Sequence, residues 1–180
     1  MSVLGNSLLN EIVSDYEILN PADILGLMNR KLVQILQQEQ ADAVYDGMDI
    51  SVCAIDLKEK KMTYCGANQS MVIIRDGEVM RIQGNRYPIG GMQHTVDRRF
   101  ENHELNLNEG DLLYLYSDGF MDQFGGEKGK RLKRKNFLNV LAQQSERTLT
   151  NQKEAFLNFF REWKGGREQI DDVSIIGFRI

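Results

Sequence analysis

The sequence predicts an α+β fold in which antiparallel strands build the sheet and helices pack on it. Apolar residues recur at helical spacing toward both ends of the chain and alternate with a period of two between them. The elements follow one another as two helices, a run of strands, two helices and a closing strand, not as the repeating strand-helix-strand unit of a parallel sheet. A chain of 180 residues suits one hydrophobic core, so a single domain spanning 1–180 is expected.

Each element has its own signal. "MSVLGNSLLNEIV" opens the chain with Val3, Leu4, Leu8, Leu9, Ile12 and Val13 at helical intervals and no cap ahead of them, as if the chain started inside a larger unit. The second helix is better punctuated. Asn20 is its N-cap and Pro21 its first residue, Ile24, Leu27, Met28, Leu32, Ile35 and Leu36 form its apolar stripe, and its end is expected near Gln40. From Gly47 the period becomes two, with Met48, Ile50, Val52 and Ala54 on one face of a strand and Cys53, Ile55 and Leu57 on the other. "KEKK" turns into a strand over Met62 to Cys65, and "MVIIRDGEVMRI" reads as a hairpin whose Asp76-Gly77 suits a type I′ turn. After a loop with Pro88, Gly90 and Gly91, strands over Phe100 to Leu107 and Asp111 to Tyr116 are expected to meet across Asn108-Glu109-Gly110. Helices follow over Asn136 to Gln144 and Asn151 to Trp163, the latter with Phe156, Phe159, Phe160 and Trp163 as a core face and Gly165 as a stop. "DVSIIGFRI" closes the chain as a strand.

Composition narrows the function classes. With 42% apolar and 27% charged residues the chain reads as a globular domain, and a net charge of -4 argues against a general nucleic-acid binder. No run of about 18 apolar residues and no leader-like segment is present, so a cytoplasmic domain without membrane contact is expected. Cys53 and Cys65 lack metal-type spacing and read as reduced core thiols.

Two acidic sites carry the chemistry. Asp118-Gly119 directly follows a strand in "DLLYLYSDGF", and Asp171-Asp172 precede one after "KGGREQI". If those strands are antiparallel neighbours, the carboxylates converge, and converging carboxylates need a cation or a proton between them. Mg²⁺ is the economical answer, because it takes oxygen ligands and keeps several waters. Gly119, without a Cβ, would let backbone approach closely. The alternative is that Ser-Asp-Gly is a turn and Asp171 a cap.

Beyond this chemistry, "YSDGF" with "QFGG" and "DDVSIIGFRI" resemble the last two metal motifs of the metal-dependent (PPM) serine/threonine protein phosphatases, particularly their bacterial SpoIIE-like branch. "YCGANQS", "YPIGG" and "LNEGDLLYLYSDG" resemble further stretches of that branch, and the likeness runs from Met1 to Ile180. The resemblance implies an α-β-β-α sandwich of antiparallel sheets flanked by helices. It also implies Asp118 and Asp171 as metal ligands, with Gly119 and Asp172 in support. Two Mg²⁺ or Mn²⁺ ions would serve a complete domain, in which metal-bound water attacks phosphoserine or phosphothreonine. A phosphorylated regulator of the anti-sigma-factor-antagonist type would be the substrate, with sensor domains upstream in the parent chain and a role in bacterial signal transduction.

One family feature is not found in these residues: a Gly-Asp strand end followed by Gly-His-Gly, whose aspartate bridges both metals. The chain therefore reads as N-terminally truncated, with weak or no activity alone. Asp46 and Asp49 in "YDGMDIS" are candidate substitutes, although polar residues heading a strand usually serve turns or edges. Asn68 in "GANQS" would touch substrate or close a turn. The six basic residues between Lys128 and Lys135 read as a solvated loop or as a surface meeting an acidic phosphoprotein. His94 and His103 read as surface residues. Three functions remain open: a phosphatase, a non-catalytic PPM-like module that binds a partner, and an oxygen-ligand metal domain of other ancestry. Exposed sheet edges predict self-association as a homodimer.

Overall fold

The computed structural model describes residues 1–38, 46–91 and 98–180. They divide into two compact units, one of Met1–Ser70 with Gln83–Leu107, the other of Met71–Ile82 with Asn108–Ile180. Gln40, the expected end of the second helix, and His94 lie outside the described residues.

In the first unit, helix α1 (Ser2–Asn10) continues as a π-helical turn over Glu11–Asp15. Gly5, Leu8 and Ile12 face inward at spacings of three and four, while Val3, read as part of the stripe, is exposed. Helix α2 (Pro21–Ile35) starts as expected, with the Asn20 side chain accepting hydrogen bonds from the N–H groups of Ala22 and Asp23. Its buried side is Ile24, Leu25, Met28, Leu32 and Val33; Ile35 has rotated into solvent at the last turn.

Strands β1 (Gly47–Met48), β2 (Ile50–Asp56), β3 (Lys61–Ala67), β6 (Ile89–Gly90) and β7 (His103–Asn106) complete this unit. β3 lies between β2 and β7 in an antiparallel sheet, and β1 pairs with β6. The core joins α1 and α2 to Cys65, Ala67, Ile89 and Phe100. Neither cysteine forms a disulfide, and burial pushes the thiol of Cys53 up to about 11 and that of Cys65 up to about 12, so both remain protonated.

The second unit holds β4 (Ser70–Arg75), β5 (Glu78–Gln83), β8 (Leu112–Tyr116) and β11 (Ile175–Arg179) in the order β11-β8-β4-β5. Asp76 and Gly77 both have positive φ, 50° and 79°, as a type I′ hairpin turn requires. Helices α4 (Lys133–Gln144) and α5 (Leu149–Lys164) bury Phe137, Leu141, Phe156 and Phe160 against Val72, Tyr114 and Tyr116.

Two expectations change here. β7 and β8 do not pair across Asn108-Glu109-Gly110; each joins a different sheet. Asp111 ends the turn instead, fully buried, with both carboxylate oxygens bonded by Arg75 at 2.9 and 2.7 Å and one by the Asn108 N–H at 2.8 Å. Burial alone would push the Asp111 carboxyl up, but the Arg75 and Asn108 hydrogen bonds, with the Arg75 charge, together hold it below the usual range. Helix α4 also starts three residues before Asn136, so Lys133, Arg134 and Lys135 occupy its first turn and are not loop.

Candidate metal centre

β8 and β11 are antiparallel neighbours, with Tyr116 opposite Ile175 and Leu112 opposite Arg179. The end of one strand therefore lies beside the start of the other, which brings Asp118 and Asp171 to one place. β8 closes on Ser117, and Asp118 caps the short helix α3 (Gly119–Asp122). The closing strand begins at Ile175, three residues later than its sequence pattern suggests, so Asp171 and Asp172 sit in an extended lead-in.

That lead-in is fastened by backbone. Ser117 Oγ donates to the Asp172 carbonyl at 2.8 Å and accepts from the Ser174 N–H at 2.9 Å, while the Ser117 N–H donates to the Ser174 carbonyl at 3.0 Å. Gly119 lies directly under the Asp172 carbonyl, whose carbon would be 2.9 Å from any Cβ placed there. Glycine is required by this close approach, not by its φ. Asp172 thus contributes its main chain to the junction, and its carboxylate is exposed.

The two carboxyls are near enough for one to hydrogen-bond the other when a proton is present. Asp118 keeps an exposed edge, but desolvation by surrounding protein, and after it the negative charge of Asp171, push its carboxyl above the usual range. Asp122 adds a smaller repulsion, and the Asp118 N–H opposes it. Two acids that suppress ionisation in one of them are a donor set suited to a hard cation, which would take the place of the shared proton. Among the described residues no three His, Cys, Asp or Glu side chains gather as a metal cluster. The pair supplies part of an oxygen shell, and Mg²⁺ accepts a partial shell because it retains waters.

Residues that the sequence pattern did not single out hold the approach loop. Gln123, wholly buried, donates from Nε2 to the carbonyls of Phe124 (3.0 Å) and Glu168 (2.9 Å), and its own carbonyl accepts from Trp163 Nε1 at 3.0 Å. Gln169 Nε2 donates to the Asp171 carbonyl at 2.9 Å. The "QFGG" stretch forms strand β9 (Phe124–Gly125), paired with β10 (Lys130–Arg131), and Gly125 and Gly126 pack flat on Trp163. Only the buried amide and these close approaches mark the residues as special, and neither is visible before the loop is folded.

The remaining candidates fall in the first unit. Asp49 separates β1 from β2 and accepts from Asn68 Nδ2 at 2.8 Å. Asn68 itself turns β3 into β4 with φ 54°, a conformation Asn tolerates. Asp46 is exposed, and its carbonyl accepts from Gln38 Nε2. His103 is half-buried against Tyr64, with ring centroids 6.2 Å apart.

The family model for stage II sporulation protein E (SpoIIE) matches residues 1–180, and the chain belongs to the SpoIIE family of PPM-type phosphatase domains. No curated protein sequence matches it. Among solved structures, the SiaA PP2C domain of Pseudomonas aeruginosa is similar with a TM-score of 0.88 and 29% identity, over 99% of this chain and 68% of that one. The PP2C phosphatase domain of SpoIIE from Bacillus subtilis, solved with a fragment of its regulatory domain, is similar with a TM-score of 0.69 and 22% identity, over 99% and 49%. The RsbU and RsbW domains of a Mycobacterium tuberculosis protein give a TM-score of 0.74 and 19% identity, over 99% and 46%. The chain thus spans about half the length of the latter two. The fold is that of the PPM phosphatases, a class that uses Mg²⁺ or Mn²⁺. No described helix is long and apolar enough to cross a membrane.

Proposed function

We propose that this chain forms part of a metal-dependent protein serine/threonine phosphatase in which Asp118 and Asp171 hold Mg²⁺ or Mn²⁺. The observation that carries the reading is the meeting of these two carboxylates at paired strand ends, with the Asp118 carboxyl pushed up by desolvation and by its neighbour. A bound ion supplies charge neutralisation of a phosphate and lowers the pKa of water. The chain's own residues do the positioning: Ser117 locks the register, Gly119 admits the Asp172 carbonyl, and Gln123 and Gln169 tie down the loop that carries Asp171.

The substrate in this reading is phosphoserine or phosphothreonine on a regulatory protein of the anti-sigma-factor-antagonist type, in cytoplasmic bacterial signalling. Sensor domains upstream and a homodimeric state belong to the same proposal. Among the described residues two carboxylates meet without a bridging third, and in this reading such a pair alone would hydrolyse little. That same donor count favours the second reading, a non-catalytic PPM-like module that signals by contact with a partner.

The test is turnover of p-nitrophenyl phosphate and of a phosphoserine protein with Mn²⁺, for this chain and for a version extended upstream of Met1. Metal-dependent turnover in the extended form, abolished by Asp118→Asn, is the expected result. A silent extended form with metal bound would establish the contact module instead.

A further inference from the structure

The open edge of β11 carries unpaired backbone. β11 is the outer strand of the order β11-β8-β4-β5 and meets only β8. At its two ends the Ser174 carbonyl accepts from the Ser117 N–H and the Ile180 N–H donates to the Asp111 carbonyl, each at 3.0 Å. Antiparallel ladders alternate, so Ile176 and Phe178 also turn their peptide groups toward β8, whereas Ile175, Gly177 and Arg179 turn theirs to the open edge. Among the described residues nothing bonds to those outward N–H and C=O groups.

The usual guards of an exposed edge are missing. β11 holds no proline, lysine or bulge, and its one charge, Arg179, is turned away, with Nη2 donating to the Ser145 and Arg147 carbonyls at 2.8 and 2.9 Å. Both faces beside the edge are apolar instead. On one, Ile176 is 50% and Phe178 41% exposed. On the other, a groove of about 490 Å³ runs between β11 and α5, lined by Ile175 and Gly177 on the strand and by Leu149, Phe156 and Leu157 on the helix. Leu149 and Leu157 are exposed there, and a Cβ on Gly177 would stand 3.5 Å from Leu149.

The occupant that fits is a second copy of the same strand, because the pattern is symmetric about Gly177. A two-fold axis there sets Gly177 against itself and Ile175 against Arg179 of the second copy, so every outward N–H and C=O of these residues finds a partner. The same axis sets Ile176 against Phe178 of the second copy, in the closer, non-hydrogen-bonded kind of pair, and covers both exposed side chains. No like charges face each other, and Leu149, which overlies Gly177, brings the groove of each copy to the seam. We propose that two copies of this chain pair antiparallel through β11, with Gly177 on the two-fold axis, and join their four-stranded sheets into one. The inference rests on the homodimeric reading above and gives it a surface; it uses neither Asp118 nor Asp171.

The test is sedimentation equilibrium of the whole chain in EDTA, which keeps the metal centre out of the measurement. A concentration-dependent dimer is expected. Ile176→Lys with Phe178→Lys, both exposed positions, sets lysine opposite lysine across the seam and is expected to raise the dimer Kd by about tenfold or more while the circular dichroism stays that of the folded chain. Ile176→Lys with Phe178→Glu sets opposite charges across the same seam and is expected to dimerise about threefold or more tighter than the double-lysine variant. Hydrogen exchange should protect the Gly177 and Arg179 amides in the dimer and release them on dilution. A parent chain that stays monomeric at high concentration would overturn both this interface and the homodimeric reading. A dimer indifferent to both variants, or a Gly177 amide protected in the monomer by some other occupant, would overturn the interface alone.

Discussion

Gly119→Ala separates a local account of this glycine from a tertiary one. Gly119 begins α3, and helix propensity alone says that alanine stabilises such a position by about 1 kcal/mol. The close approach of the Asp172 carbonyl predicts the opposite sign. A Cβ would lie 2.9 Å from that carbonyl carbon and 3.3 Å from Val173 Cγ2, and the carbonyl cannot swing aside because Ser117 Oγ holds it at 2.8 Å. Overpacking of this kind costs about 1–3 kcal/mol. At about 2–4 °C per kcal/mol for a chain of this size, the melting temperature should fall by about 2–12 °C. The displaced lead-in should also draw Asp171 away from Asp118 and weaken Mn²⁺ binding. Differential scanning calorimetry with and without Mn²⁺ reads both effects. A variant that melts at or above the parent and binds Mn²⁺ unchanged would refute the close-approach argument.

Other outcomes follow from the same geometry. Because the folded-state pKa of Asp118 is raised, the native chain holds the extra proton just above the ordinary carboxylate range, so stability falls as pH rises through that window and stays lower at neutral pH. Asp118→Asn should therefore raise the melting temperature in EDTA at neutral pH, with the gain shrinking in acid; a loss of stability would contradict this. Arg75→Gln strands the buried Asp111 carboxylate, which is 1% exposed, and should cost about 3 kcal/mol in urea denaturation at neutral pH. Since the Asp111 pKa is depressed, that deficit should narrow as pH falls through its folded value. Gln123→Ala removes the bond to the Glu168 carbonyl in the loop that carries Asp171, together with one to the adjacent Phe124 carbonyl, and should weaken Mn²⁺ binding in calorimetry without altering either carboxylate.

Where local pattern and tertiary demand coincide, the sequence was readable. The hairpin of β4 and β5 about Asp76-Gly77, the Asn20-Pro21 start of α2 and the Gly165 stop of α5 each express a backbone requirement within a few residues. The juxtaposition of Asp118 and Asp171 was readable because both stand within a few residues of strands that only needed to be antiparallel neighbours. Asn108-Glu109-Gly110 misled, since a tight turn looks the same whether it joins a hairpin or carries the chain between sheets. Lys133 to Lys135 looked like solvated loop because charge hides a helix start that lacks a polar cap. Ser117 and Gln123 carried no periodic signal; their partners lie 55 and 45 residues away in the chain.

The most direct test of the central claim is Mn²⁺ binding, followed by electron paramagnetic resonance of the unmutated chain and of Asp118→Asn and Asp171→Asn. Binding that either substitution weakens by about tenfold or more is the predicted result, because each removes one of two oxygen ligands. Equal Mn²⁺ affinity in all three proteins would contradict a centre built on this pair.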